Sequence, residues 1–122
     1  QAYENVNNTL LSDTRYYLRY FAMRKNQHDV LKRINDQIML LTYSPRQAKP
    51  ISDFIQEIAR TFHEDNDAEY LLSQLNEIAQ NFKLEPSPAT RDEFENRAIL
   101  FMIMKDLENF LKIKQKFFKY ER

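Results

Sequence analysis

No glycine and no cysteine occur among the 122 residues, and basic and acidic side chains cancel at 18 each. Without glycine, phosphate-cradling loops and nucleophile elbows lack the residue their tight backbone requires, and a calcium loop lacks its sharp turn. Without cysteine there is neither a disulfide framework nor a thiolate metal site, which suits a reducing compartment. Balanced charge removes the overall field that draws proteins to nucleic acid, so no nucleic-acid partner is expected. The longest apolar run, Ala98 to Met104, is about seven residues against roughly 20 needed to span a bilayer. The chain opens on Gln1 with no methionine or signal-peptide pattern. The expectation is a piece of a longer protein that continues upstream.

What is present is helical periodicity. A first helix is expected from Ala2 to Tyr43, with Tyr3, Val6, Leu10, Tyr17, Phe21, Leu31, Ile34, Ile38 and Leu41 on one face. Pro45 and Pro50 bracket a loop, and Pro50 suits a first helical turn. Ile51, Phe54, Ile55, Ile58, Ala59 and Phe62 then define a second helix reaching about His63. Asn66 and Glu69 have capping-box spacing for a third helix that buries Leu71, Leu72, Leu75, Ile78, Ala79 and Phe82 before Pro86 and Pro88. Thr90 and Glu93 repeat that spacing, and Phe94, Ala98, Phe101, Met104, Leu107, Leu111 and Phe118 line a fourth helix to about Tyr120. No strand pattern, internal repeat or low-complexity segment is visible.

Short connections make neighbours antiparallel, so residues 1–122 read as a single all-α domain, an up-down-up-down four-helix bundle. Its first and fourth helices are long, roughly 60 and 45 Å, and the central hairpin is short, about 22 to 25 Å. The hairpin then covers only the half holding Leu31 to Leu41 and Phe94 to Met104. The other half is left as two helices, with Tyr3, Leu10, Tyr17 and Tyr20 facing Leu111, Ile113, Phe117 and Phe118. Two helices enclose that much apolar surface poorly, so a homo-oligomer is expected there, with docking onto an absent part of the same protein as the alternative.

Where the bundle narrows, Arg24, Gln27 and His28 occupy stripe positions, and counting from the top sets Asp106 and Glu108 beside them. Read functionally, this polar layer holds a small anion or acid, with His28 titrating near neutrality. Read structurally, the same residues satisfy one another. His63, Glu64, Asp65, Asp67 and Glu69 crowd one loop, yet their spacing meets neither calcium nor zinc ligand rules. No metal, no cofactor and no catalytic activity are expected. Lys112, Lys114, Lys116, Lys119 and Arg122 lie at the end where Gln1 attaches to any preceding domain, so a membrane there would present its anionic leaflet to them.

Two segments carry a family resemblance: Phe21-Ala22-Met23-Arg24 with Gln27, and Glu93-Phe94-Glu95-Asn96-Arg97-Ala98 with Leu100-Phe101. Across roughly Tyr20 to Ile113 the chain resembles the C-terminal domain of the putative aromatic acid exporter family. The resemblance implies a soluble helical domain on the cytoplasmic side of the bacterial cell membrane, following membrane helices of the same chain. It implies a role in assembly or regulation of a transporter, and it transfers no ligand residue onto Arg24, Gln27, Glu95 or Arg97. From the residues alone, Glu95 and Arg97 read as ion-pair residues at the surface or between helices. The alternative is a stand-alone dimeric helical adaptor or small-ligand sensor.

Overall fold

The computed structural model describes residues 2–42, 46–61 and 68–120, with side chains from Leu10 to Lys119 within those spans. Four helices form: α1 Ala2–Met39, α2 Ala48–Arg60, α3 Glu69–Lys83 and α4 Arg91–Tyr120. They build an up-down-up-down bundle with a long outer pair and a short central hairpin. Antiparallel register of α1 and α4 is fixed by three cross-helix bonds that join Gln27 to Phe110, Arg33 to Asp106 and Thr42 to Asn96.

Local chemistry sets each boundary. Helix α1 stops at Met39, short of the expected Tyr43, which lies outside the described residues. Its last turn tightens, Leu40 and Leu41 donating to the carbonyls of Gln37 and Ile38. The next amide, of Thr42, goes to the side chain of Asn96 at 3.0 Å instead of continuing the helix. Helix α2 ends at Arg60 rather than His63, where the Thr61 amide and hydroxyl both turn back onto the Glu57 carbonyl. Pro50 lies in its first turn, as its missing amide favours.

The third helix corrects the capping-box reading. It starts at Glu69, so this residue opens the helix instead of closing a box, and Asn66 lies outside the described residues. The cap is Ala68, left-handed at φ 66°, whose carbonyl accepts the Leu72 amide at 2.9 Å. Thr90 does cap α4. Its hydroxyl accepts the Glu93 amide at 3.1 Å, while the Glu93 carboxylate reaches back to the amide of Ala89 at 2.7 Å.

The main core joins Val30 and Ile34 of α1 with Ile51, Phe54 and Ile58, Leu71 and Leu75, and the α4 line Leu100, Ile103, Leu107 and Leu111. A second cluster, where only α1 and α4 remain, packs Met23 with Phe117 and Phe118 under Tyr16 and Tyr20. Tyr16 and Tyr20 ring centroids stand 5.6 and 5.7 Å from that of Phe117.

Burial overturns part of the expected stripes. Phe94, Ala98 and Phe101 of α4 face outward. Leu10, Tyr17 and Phe21 of α1 are also exposed, and Leu31 and Ile38 remain about 40% accessible. Both long helices carry apolar residues on two faces, and the line turned inward includes polar Gln27, Gln37, Asn96 and Lys114. A stripe chosen by hydrophobicity alone therefore selects the outer row over most of α1 and the start of α4, whereas Met104, Leu107, Leu111 and Phe118 are buried as expected.

Candidate functional site

The polar layer forms around one buried amide. Gln27, 1% exposed, donates from Nε2 to the Phe110 carbonyl at 3.1 Å and accepts from Arg24 Nη1 at 2.8 Å. Arg24 also donates from Nε to the Tyr20 hydroxyl at 3.1 Å, its guanidinium carbon 5.2 Å from the ring centroid. The three α1 residues sit at i, i+4 and i+7, so helix periodicity alone aligns them.

Asp106 belongs to a different pair. Its carboxylate takes Arg33 Nη2 at 2.9 Å and Arg33 Nε at 3.2 Å to both oxygens. The hydrogen bond from Arg33 holds the Asp106 carboxyl below its ordinary range against the opposing effect of burial, with further help from the charge of Arg33 and bonds from Gln37 and Asn109. Arg33 is raised in turn by the same bond.

Of the five residues expected to converge, the structure brings together Arg24 and Gln27 only. His28 is exposed, and Glu108 bonds Lys112 along its own helix at 2.9 Å. The reason is register. Gln27 lies opposite Phe110 and Arg33 opposite Asp106, which places Asp106 and Glu108 above the Arg24 level. Among the described residues no cluster of three or more metal-ligating side chains occurs, and the run from His63 to Asp67 lies outside them.

The expected interface at the two-helix end also needs correction. Leu111, Phe117 and Phe118 are buried within the chain, at 1, 4 and 9% exposure, Leu111 in the main core and the two phenylalanines against Met23, Tyr16 and Tyr20. Leu10 and Tyr17 are exposed, and the side chain of Tyr3 lies outside the described residues. Lys114 is buried and so leaves the expected basic surface, which retains Lys112, Lys116 and Lys119; Arg122 lies outside the described residues. Beside the second cluster a shallow groove of about 360 Å³ is lined by Met23, Ile113 and Phe117 on its floor and Arg19, Asn26 and Lys116 at its rim.

One polar residue escaped the sequence reading as a site. Asn96, 2% exposed, accepts the Thr42 amide and donates from Nδ2 to the Thr42 hydroxyl at 2.9 Å and the Asp92 carbonyl at 2.8 Å. It locks the end of α1 onto the start of α4. Its neighbours brace the same region, Arg97 bonding the Pro86 carbonyl and Glu95 pairing with Arg91 at 2.9 Å. The signal was the segment Glu93 to Ala98 itself, whose polar members have separate jobs: Glu93 caps, Asn96 locks and Arg97 braces.

Paired long helices pinned by Gln27 and Asn96, with a short hairpin over one half, define an all-helical domain whose polar layers serve to fix helix register. The chain belongs to the family described as the putative aromatic acid exporter C-terminal domain, whose model matches residues 1–115. It is 34% identical over 116 residues to the uncharacterized protein YqjA of Bacillus subtilis (strain 168), a match covering 95% of this chain and 36% of that protein. The chain thus spans about a third of that relative's length. A crystal structure of a "putative membrane protein" from Clostridium difficile 630 is similar at TM-score 0.78 and 39% identity, over 96% of this chain and 68% of that one.

Proposed function

We propose that this domain lies on the cytoplasmic side of the bacterial cell membrane, attached to membrane helices earlier in the same chain, and serves the assembly or regulation of an exporter-like transporter without chemistry of its own. The observation that carries the reading is the family match over residues 1–115. No helix among the described residues is long and apolar enough to cross a membrane, and one feature of the chain supports the reading. Lys112, Lys116 and Lys119 are exposed on the half of α4 that pairs with the beginning of α1. An anionic leaflet attracts a surface lysine by roughly 1 kcal/mol, and by less where a carboxylate already pairs it, as Glu108 pairs Lys112.

The test is topology in the full-length parent. A fluorescent protein that matures only in the cytoplasm, fused after Arg122, should glow, while an exported phosphatase at the same place should stay inactive. The reverse pattern overturns the reading. Deleting residues 1–122 should leave the membrane part inserted but disturb its assembly on native gels or its transport. An intact assembly with unchanged transport would remove the regulatory role.

The groove favours a second reading, a small-ligand sensor. Its apolar floor and the rim cation Lys116 suit a small amphipathic anion such as an aromatic carboxylate. Calorimetry with benzoate should then show binding that Lys116→Ala weakens at least tenfold. An absence of heat at millimolar benzoate rejects it.

A further inference from the structure

The face of α1 turned away from α4 carries Leu10, Leu11, Tyr17, Leu18 and Phe21, all more than half exposed, around the small Thr14. On a helix wheel these residues lie roughly opposite Tyr16, Tyr20 and Met23, which pack toward Phe117. The first half of α1 is therefore apolar on two sides, one of which the bundle covers. Residues 10, 14, 17 and 21 follow the alternating spacing of four and three by which one helix receives another along a shallow crossing. The patch contains no charge.

We propose that this face binds a second copy of the chain, α1 against α1 in antiparallel orientation about a two-fold axis. Three observations choose that occupant. First, the surface is self-complementary. With the copies turned end for end, Leu10 meets the partner's Phe21 and Thr14 meets the partner's Tyr17, small against large, and the same contacts recur on the other side of the axis. Leu11 and the partner's Leu18 close one flank.

Second, charge selects the orientation. Parallel in-register helices stack Lys25 on the partner's Lys25, since exposed Lys25 continues the outer face one turn beyond Phe21; the antiparallel arrangement separates them. Third, the area is adequate. Five large side chains at these exposures present about 500 Å² per copy, so a pair buries about 1,000 Å², at the threshold for a specific interface and in the range of a weak dimer. An axis perpendicular to α1 also leaves the two Gln1 ends at equal height, so both copies can hang from one membrane when α1 lies along its surface.

The inference goes beyond the proposed role, and its failure leaves the topology test unaffected. Light scattering on the 122-residue chain at several hundred micromolar should give twice the 14.8 kDa monomer mass. Tyr17→Lys and Phe21→Lys should each return it to 14.8 kDa with far-ultraviolet circular dichroism unchanged. Phe101→Lys, on the exposed side of α4, should leave the dimer intact. Because the chain has no native cysteine, Thr14→Cys supplies a direct contact probe, and a short bis-maleimide should join it to its copy. A monomer at that concentration overturns the proposal, as does a dimer that survives both lysine variants or a Thr14→Cys chain that does not cross-link.

Discussion

The side-chain amide of Gln27 donates to the backbone carbonyl of Phe110 across the α1–α4 interface at 3.1 Å, and both residues are almost completely buried. A helix-interior carbonyl already accepts from its own helix, so this bond uses its second lone pair and couples the register of two long helices at one point.

Replacing Gln27 separates the bond from the packing. Gln27→Ala removes the donor, takes away one of the acceptors of Arg24 and opens a cavity, for an expected loss of about 2 to 4 kcal/mol in urea denaturation. Gln27→Met keeps the volume, and the Phe110 carbonyl retains its intrahelical bond, so the loss should stay below about 1.5 kcal/mol. Equal losses for the two variants would mean that the hydrogen bond outweighs the packing.

Asn96 is the larger latch, with three bonds from a side chain 2% exposed. Asn96→Ala should cost about 2 to 4 kcal/mol, because the amide and hydroxyl of Thr42 lose their partner together. Hydrogen exchange gives the specific readout. The amides of Leu40, Leu41 and Thr42 should exchange faster in the variant, while those around Phe110 change only with global stability.

Helix number, the loop prolines and the Thr90 cap were legible because they depend on neighbours in sequence. So were Ile51, Phe54, Ile58, Leu71 and Leu75 of the short hairpin and Met104, Leu107, Leu111 and Phe118 of α4, all buried as expected. The inward line of α1 and of the first turns of α4 was not. It runs through Met23, Gln27, Val30, Ile34 and Gln37 in α1 and through Asn96, Leu100 and Ile103 in α4, and three of these eight are polar, so hydrophobic periodicity prefers the outer rows ending in Phe21 and beginning with Phe94. What makes the polar members acceptable inside, a carbonyl opposite Gln27 and a chain end opposite Asn96, exists only once the helices have docked. The same holds for Asp106, whose partner Arg33 is set by register.

That pair gives stability a definite acid dependence. Asp106 has its carboxyl lowered in the folded state, chiefly by the Arg33 hydrogen bond. The unfolded chain then binds the proton more readily than the folded one. The contribution is present above the ordinary carboxylate range and is lost as pH falls through the lowered folded value. Between pH 5 and 2 the urea midpoint of the native chain should fall more steeply than that of Asp106→Asn. The variant should be the less stable at pH 7, with the two curves converging near pH 2. Parallel curves would show that Asp106 and Arg33 are not coupled in solution.

Ala68 tests the start of α3. At φ 66° its side chain occupies a region that disfavours any Cβ, yet the residue is 2% exposed and its methyl group packs in the core. The two effects oppose each other when the methyl is removed. Ala68→Gly relieves about 1 kcal/mol of backbone strain and loses a buried methyl of similar worth, so stability should change by less than about 1 kcal/mol. Ala68→Val has no such offset. A β-branched side chain in the left-handed region clashes with its own backbone, and the added carbons must enter a packed site, so a loss above about 2 kcal/mol is expected. Urea denaturation of the pair decides it. A glycine variant as damaged as the valine one would show that the methyl contact, and not the dihedral, governs how α3 begins.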